Sequence, residues 1–522
     1  VTRTEGHYRV LLGLLTLLVA AWTVVWAVVT PAFRSPDEQN HVNSVLRIAH
    51  GGGWPPPGEA RFSPVIEDAV EEAAYPADLP GRFGALREDV RQFVDVVPVP
   101  REERARDDAT TAVAPPGSDA TVDQMTQHPP AYYALGAAVL HLTGLAEARW
   151  DQVMLALRVL DAALLAASVP FAAAAVRRVT GSRSAALLAV PLPLLVPQVG
   201  HILGSTNNDA LVVLVCAVVT YLGVRVVTGD LRWRTAAAIG VALGVGLLTK
   251  VMVAFAVPTV LVAYLLAVGA PWRVRLTRAA AATGVALVAG GWWWVRNVLT
   301  LGVVQPAGLP RDVSRLAQVP DDEVLPLSVS RVAQSFFGQL GWLEVRLDGT
   351  FVVLGSVVVV AASVLAVVLP GARRTAVALL VMPAGLAAGV IYNAVDFHAE
   401  TGVLVALQGR YVFGGITALA AVVAVAVWHA LGDSSRRVVV ALPVATALAL
   451  AVAGTGLWWG FRMMYLGPGE SHGQAVDRWL AWSPLEGWQV TAVLVAAAAV
   501  ALVAVAGTVR WAVLVRREDD AA

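Results

Sequence analysis

Long apolar blocks alternate with short polar breaks along this chain, and the blocks carry no 3.6-residue stripe. The clearest cover 8–30, 210–227, 279–301, 351–369, 376–392, 438–461 and 488–509. Each approaches the roughly 20 apolar residues that cross a bilayer as a helix. Lipid offers backbone groups no water to bond, so such blocks cross as helices and not as open strands. The pattern predicts an all-α polytopic membrane protein. The first block follows Arg3 and Arg9. It exceeds the apolar core of a signal peptide and further blocks follow, so it reads as a retained anchor.

Arginine placement orients the helices. Short basic breaks carry Arg177, Arg178 and Arg183, then Arg232 with Arg234, then Arg273, Arg275 and Arg278. Later breaks carry Arg373 with Arg374 and Arg436 with Arg437, and Arg516 with Arg517 follow the last block. The positive-inside rule puts these breaks and the N-terminus in the cytoplasm. The breaks at 31–129, 205–209, the turn near Lys250, 297–349, 393–410 and 462–487 then lie outside. This gives about twelve crossings with both termini inside. Segment 130–144 is apolar but short, and counting it would move every later basic break outside. It therefore reads as a re-entrant or juxtamembrane helix, with about thirteen crossings as the alternative.

The whole chain reads as a single transmembrane domain. Its first extracytoplasmic loop, 31–129, is large, and 302–350 is the second large one. The first is rich in Pro, Asp and Glu and poor in large apolar residues, so it cannot bury a core alone. Short helices lying on the membrane domain, such as 64–74, are expected. Segment 309–331 is similar, and unstructured loops of that length usually cover a site or stay disordered.

Composition agrees: 57% of the 522 residues are hydrophobic and 15% charged. Soluble domains carry about 25% charged residues. The formal net charge is zero, so bulk charge argues for no nucleic-acid partner. The single cysteine, Cys216, excludes a disulfide within the chain.

Ionisable groups inside apolar blocks are costly and usually functional. Lys250 is the only lysine, in Gly246-Leu247-Leu248-Thr249-Lys250, where arginine is this chain's habit. A compact ammonium suits phosphate; the plainer reading is a lysine snorkelling at the interface. Pro36-Asp37-Glu38-Gln39-Asn40-His41 follows the first block. Its adjacent carboxylates suit a general base or a metal ligand, or are ordinary hydrated acids. Asn207-Asn208-Asp209 forms a polar turn between two blocks and also suits a helix start, where anions are favoured. Trp292-Trp293-Trp294-Val295-Arg296-Asn297 fits an interfacial aromatic belt, with Arg296 placed for phosphate or sugar or simply snorkelling. The aromatic, glycine-rich run from Phe336 to Trp342 is expected as an interfacial helix. Gln408-Gly409-Arg410-Tyr411 puts an arginine outside, against the charge bias, so Arg410 is expected to have an anionic partner. His128-Pro129-Pro130-Ala131-Tyr132-Tyr133 returns the first loop to the membrane, and its prolines make a rigid entry.

The topology gathers these motifs on one membrane face. Carboxylates and cations at one water–lipid boundary suit a substrate with an anionic head and a lipid tail.

Taken in order, these motifs resemble the GT-C superfamily of polyprenyl-phosphate-sugar-dependent glycosyltransferases, within it a bacterial membrane family of unknown function. The matching positions are 36–41, 128–133, 207–209, 248–250, 293–297 and 408–411, which span most of the chain. The resemblance implies a GT-C-like fold and an inverting transfer of sugar to a hydroxyl acceptor. It implies Asp37, or alternatively Glu38, as the base, and Lys250, Arg296 and Arg410 on the donor phosphate. His41, His128, Asn207, Asn208, Asp209, Asn297, Gln408 and Tyr411 would complete the substrate site. Asn207 and Asp209 stand where oligosaccharyltransferases bind a divalent metal, but Asn replaces the first acid, so the metal stays open. The implied partners are a polyprenyl-phosphate-linked sugar, a cell-envelope glycan, lipid or protein acceptor, and membrane lipids. The implied location is the cell membrane, with the site facing out. A flippase of lipid-linked sugars is the main rival, for which Arg158 and Asp161 in one block could form an intramembrane pair. A non-catalytic envelope scaffold is the other.

Overall fold

The computed structural model describes residues 3–74, 93–108, 113–114, 118–307, 309, 313–314, 316–369 and 371–521. Parts of both large loops, including 75–92 and 310–312, fall outside the described residues.

Helix α1 (Arg3–Val29) opens the chain. The first loop then contributes α2 (Glu38–Ala49), α3 (Pro64–Glu72) and, after a return segment, α4 (Ala131–Thr143). Next come α5 (Trp150–Thr180), α6 (Arg183–Leu188), α7 (Pro197–Leu203), α8 (Asp209–Val227), α9 (Trp233–Leu247) and α10 (Ala256–Leu265). Helices α11 (Trp272–Ala286) and α12 (Trp292–Leu301) are joined without interruption by a π-turn at Leu287–Gly291. Helix α13 (Val324–Phe337) leads into a two-stranded antiparallel ribbon, β1 (Gln339–Leu340) and β2 (Val345–Arg346). Then follow α14 (Gly349–Val368), α15 (Arg373–Thr401), α16 (Ile416–Ala430), α17 (Ser435–Tyr465), α18 (His472–Trp482) and α19 (Gly487–Ala521). Thus α3 forms where 64–74 was expected to be helical, and the run 336–342 leaves its helix for the ribbon.

Among the described residues eight helices are long and apolar enough to cross a membrane alone, and the pair Arg183–Leu195 and Pro197–Leu203, bent by 75°, is a broken span or a re-entrant loop. Two shorter apolar helices, α9 and Val251–Leu265, and the interrupted run 272–301 pack among these spans. At one end Glu5 accepts hydrogen bonds from Arg177 and Arg183, both at 2.9 Å, tying the start of α1 to the end of α5 and the start of α6. Arg178 donates to Thr228 just past α8, and Arg278 of α11 lies 3.5 Å over the Trp233 ring at the start of α9. Ser184 accepts from Trp511 of α19. The basic breaks therefore meet at one end, as the positive-inside pattern requires. Helix α4 never reaches that end. Its first amide, of Ala131, donates to Leu248 O, and its His141 bonds Ala49 O of α2. It lies at the opposite, polar end.

That polar end is capped by the first loop. Arg104 donates to Asp151 at 2.6 Å, and Asp123 accepts from Asn43 and Ser44, both at 2.7 Å. Packing on the bundle supplies the core that the loop cannot build itself.

Small residues let the short helices pack closely. Gly240 and Gly244 form a GxxxG pair on α9, and Gly290 lies against the Gly244 carbonyl. A Cβ at Gly290 meets backbone, whereas one at Gly284, on the same helical run, meets nothing within 4 Å. Gly290→Ala is therefore expected to cost about 1–3 kcal/mol. Gly284→Ala is expected to be neutral or to gain up to ~1 kcal/mol. Thermal melts of both variants in one detergent check this, and equal melting temperatures would contradict the contact.

Candidate functional site

The turn after α1 is organised by one buried guanidinium. Arg158 of α5 donates to Ala27 O at 2.7 Å, Thr30 O at 2.6 Å and Pro31 O at 3.1 Å. It also grips both carboxylate oxygens of Glu38 at 2.7 Å. Glu38 further accepts from the amides of Phe33 at 3.0 Å and Thr206 at 2.9 Å. Its side chain is 0% exposed, so its lone pairs are spent on holding the turn. This takes Glu38 out of the choice of base.

Asp37 is placed differently. It precedes α2 at the N-cap position with φ +67°, and its side chain makes no cap bond. Asp is among the residues that tolerate this left-handed conformation. The carboxylate is 18% exposed and lines a cavity. One oxygen accepts from Arg410 at 2.6 Å and the other from Gln124 at 3.2 Å. Arg410 thus has the anionic partner its position called for.

The polar turn before α8 is held by a second α5 residue. Asp161 accepts from the Asn207 amide at 2.6 Å and from the Tyr132 hydroxyl at 3.0 Å. Arg158 and Asp161 therefore do not form the pair considered for a flippase; each serves a separate turn. Asn207 Oδ1 accepts from the Asp209 amide at 2.9 Å. Asp209 in turn accepts from Lys250 Nζ at 2.5 Å. Lys250 has extended backbone at the break between α9 and the 3-10 turn at Val251–Phe255. Tyr411 lies between the two cations, its ring centroid 5.2 Å from Lys250 Nζ and 5.3 Å from Arg410 Cζ.

Asp37, His41, His128, Asn208, Lys250, Gln408, Arg410 and Tyr411 line one cavity of about 690 Å³. The walls toward α10 and α15 are largely apolar, with Met252, Phe255, Val390 and Tyr392. Asn207 and Asp209 are buried behind the lining, at 0% and 4% exposure, where they hold Lys250 and the turn. Tyr133, unassigned from sequence beyond its rigid entry motif, is also buried behind it. Its hydroxyl lies 3.1 Å from His41 Nδ1 and accepts from Asn208 at 3.4 Å. Burial, with Lys250 close by, holds the His41 and His128 imidazoles well below the usual histidine range. Both are neutral at physiological pH.

Two expected members are elsewhere. Arg296 and Asn297 line a separate cavity of about 240 Å³ with Trp54, Trp293 and Gln127. Helix α12 turns them away from Lys250, a register that the motif alone does not reveal.

The donor set does not fit a divalent metal. Asp37 faces Arg410 and Asp209 faces Lys250. Among the described residues no group of three His, Cys, Asp or Glu side chains could hold an ion.

A family model described as "Predicted membrane protein (DUF2142)" matches residues 20–419. No curated protein matches the chain. Two solved structures follow a similar path. ArnT from Cupriavidus metallidurans bound to undecaprenyl phosphate is 16% identical, covering 96% of this chain and 78% of its own, with TM-score 0.47. The oligosaccharyltransferase of Archaeoglobus fulgidus in its apo form is 13% identical, covering 92% and 57%, with TM-score 0.43.

Proposed function

This chain belongs to the DUF2142 family of predicted membrane proteins, and we propose that it is a GT-C-type glycosyltransferase acting on a polyprenyl-phosphate sugar. The acceptor is a hydroxyl of a cell-envelope glycan, lipid or protein. The observation that carries the reading is a single cavity combining a carboxylate, two cations and an apolar wall.

The donor's lipid lies along Met252, Phe255 and Val390, and its phosphate meets Lys250 and Arg410. Asp37 takes the proton of the acceptor hydroxyl as that oxygen bonds to the anomeric carbon. The carbon–oxygen bond to phosphate breaks, and its electron pair leaves with the polyprenyl phosphate. One displacement inverts the anomeric centre. The two cations hold the negative charge that develops on the leaving phosphate. Arg410 and Asp37 are bonded to each other before substrate arrives. A phosphate that draws Arg410 toward itself loosens that bond and frees the carboxylate for the proton.

Sidedness follows from the basic breaks at the opposite end, which the positive-inside rule assigns to the cytoplasm. The cavity then faces out. The distribution of buried charge favours transfer over translocation. Among the described residues, the buried Arg158 and Asp161 of α5 are each engaged in holding a turn at the cavity end.

Undecaprenyl phosphate is a direct probe. Lys250→Ala and Arg410→Ala are each expected to weaken its binding about 10- to 150-fold, from ~1.5–3 kcal/mol per charge-assisted hydrogen bond. Calorimetry on the chain in nanodiscs measures this, with melting curves to show that each variant is folded. Folded variants with unchanged affinity would refute the phosphate site. Movement of donor across liposomes without any glycosidic product would favour the flippase instead.

A further inference from the structure

The small cavity beside the main one has no role in the donor chemistry above. It is lined by the indoles of Trp54 and Trp293, by the polar side chains of Arg296, Asn297 and Gln127, and by Thr300. Its rim is the proline run 55–57, a stiff segment that keeps its shape without side-chain ordering. We propose that this cavity is the acceptor subsite and that it takes a carbohydrate ring. The proposal rests on the transferase reading and adds to it the place and chemical class of the second substrate.

Four observations carry it. The first is the chemistry of the lining. A sugar ring presents flat aliphatic C–H faces and a rim of hydroxyls. The faces stack on indoles, amphipathic rings that suit half-apolar ligands. The rim bonds to guanidinium, amide and hydroxyl groups, which recognise neutral polar ligands by orientation. Arg296 already lies over the Trp293 ring, 5.1 Å from its centroid, so ring and guanidinium form one surface.

The second is what the lining lacks. It has one cation and no carboxylate, whereas the main cavity has two cations and an apolar wall. A lipid phosphate is better served next door. At about 240 Å³ the cavity is also below the roughly 300–1,000 Å³ of pockets that enclose whole drug-sized ligands. It suits one ring and not a chain.

The third is adjacency. Gln127 lines both cavities. Gln305, on the main side, donates to Gln127 O and Pro306 O, both at 3.2 Å, and Pro306 lines the small side. The dividing wall is one residue thick. Trp54 joins the two sides, since its ring packs 4.8 Å from Tyr133 and its Nε1 donates to His128 O at 3.0 Å.

The fourth is unused bonding capacity. Trp293 Nε1 and Gln305 Oε1, on either side of the wall, have no hydrogen-bond partner among the described residues.

The single cysteine allows a direct test. Cys216 is buried, so Thr300→Cys adds one reactive thiol, at the lining. Thr300's hydroxyl bonds only its own helix at Arg296 O, so the fold tolerates the change. Proteoliposomes of the full chain are supplied with polyprenyl-phosphate sugars and with glycans extracted from bacterial envelopes. A bulky maleimide on residue 300 is expected to cut transfer more than ~10-fold while undecaprenyl phosphate binds unchanged. Trp293→Ala, without the label, is expected to raise the KM for glycan with little change in kcat. Undiminished transfer after labelling overturns the subsite. So does a parallel loss of undecaprenyl phosphate binding, which would make the cavity part of the donor site. If the unlabelled wild-type chain makes no glycosidic product, the transferase reading falls, and the subsite with it.

Discussion

Asp37→Asn is expected to slow glycosyl transfer by about 10²–10⁴-fold, the usual worth of a positioned general base. The substitution keeps the size of the side chain and an oxygen that accepts from Arg410. It removes the group that takes the acceptor's proton. Undecaprenyl phosphate should therefore bind the variant at least as tightly, because Lys250 and Arg410 remain and the carboxylate charge competing for Arg410 is gone. Single-turnover kinetics alongside calorimetry separate the two effects. A variant that binds lipid phosphate normally and still transfers at the wild-type rate would remove Asp37 from the chemistry. The backbone sharpens the point. An aspartate at the start of a helix ordinarily caps it, yet Asp37 makes no cap bond and its carboxylate lines the cavity.

The second large effect falls on stability. Arg158→Met is expected to cost about 3–5 kcal/mol, because it strands the buried Glu38 carboxylate. It also strips three carbonyls at the end of α1 of their shared donor. Glu38→Gln should destabilise too, since it leaves the guanidinium without its counter-charge. The double variant should lose less than the sum of the two, because neither buried charge is then left alone. Chemical or thermal unfolding in a fixed detergent reads all three. Additive losses would show that the pair is not coupled. The contrast with Asp37→Asn matters: of two adjacent carboxylates, one should control rate and the other folding.

That contrast marks where the sequence is legible and where it is not. The blocks carry the all-helical, membrane-spanning class, because hydropathy acts locally. The grouping of Asp37, Lys250, Arg410 and their neighbours at one end follows from topology alone. Adjacent acids cannot be ranked this way. Only the fold reveals that Arg158, 120 positions away, claims Glu38. The same limit hides the true partners of Asp161, which are Tyr132 and the Asn207 amide. The spacing of Arg158 and Asp161 invites a local pair, but tertiary contacts outbid it. Arg296 and Asn297 face another cavity, on a helix that follows a π-turn no motif announces. The ribbon at 339–346 is missed because the aromatic run that leads into it, with Phe336 and Phe337 at the end of α13 and Trp342 in the ribbon's turn, fits an interfacial helix equally well.

The shortness of α9 has a consequence for the surrounding lipid. Its 15 residues rise about 22 Å, against a hydrocarbon core of ~30 Å. Lys250 sits just past its tip. A bilayer meeting so short a segment thins locally and draws headgroups and water inward. Under the proposed function, such thinning would let a lipid-borne phosphate reach Lys250 by lateral diffusion without leaving its leaflet.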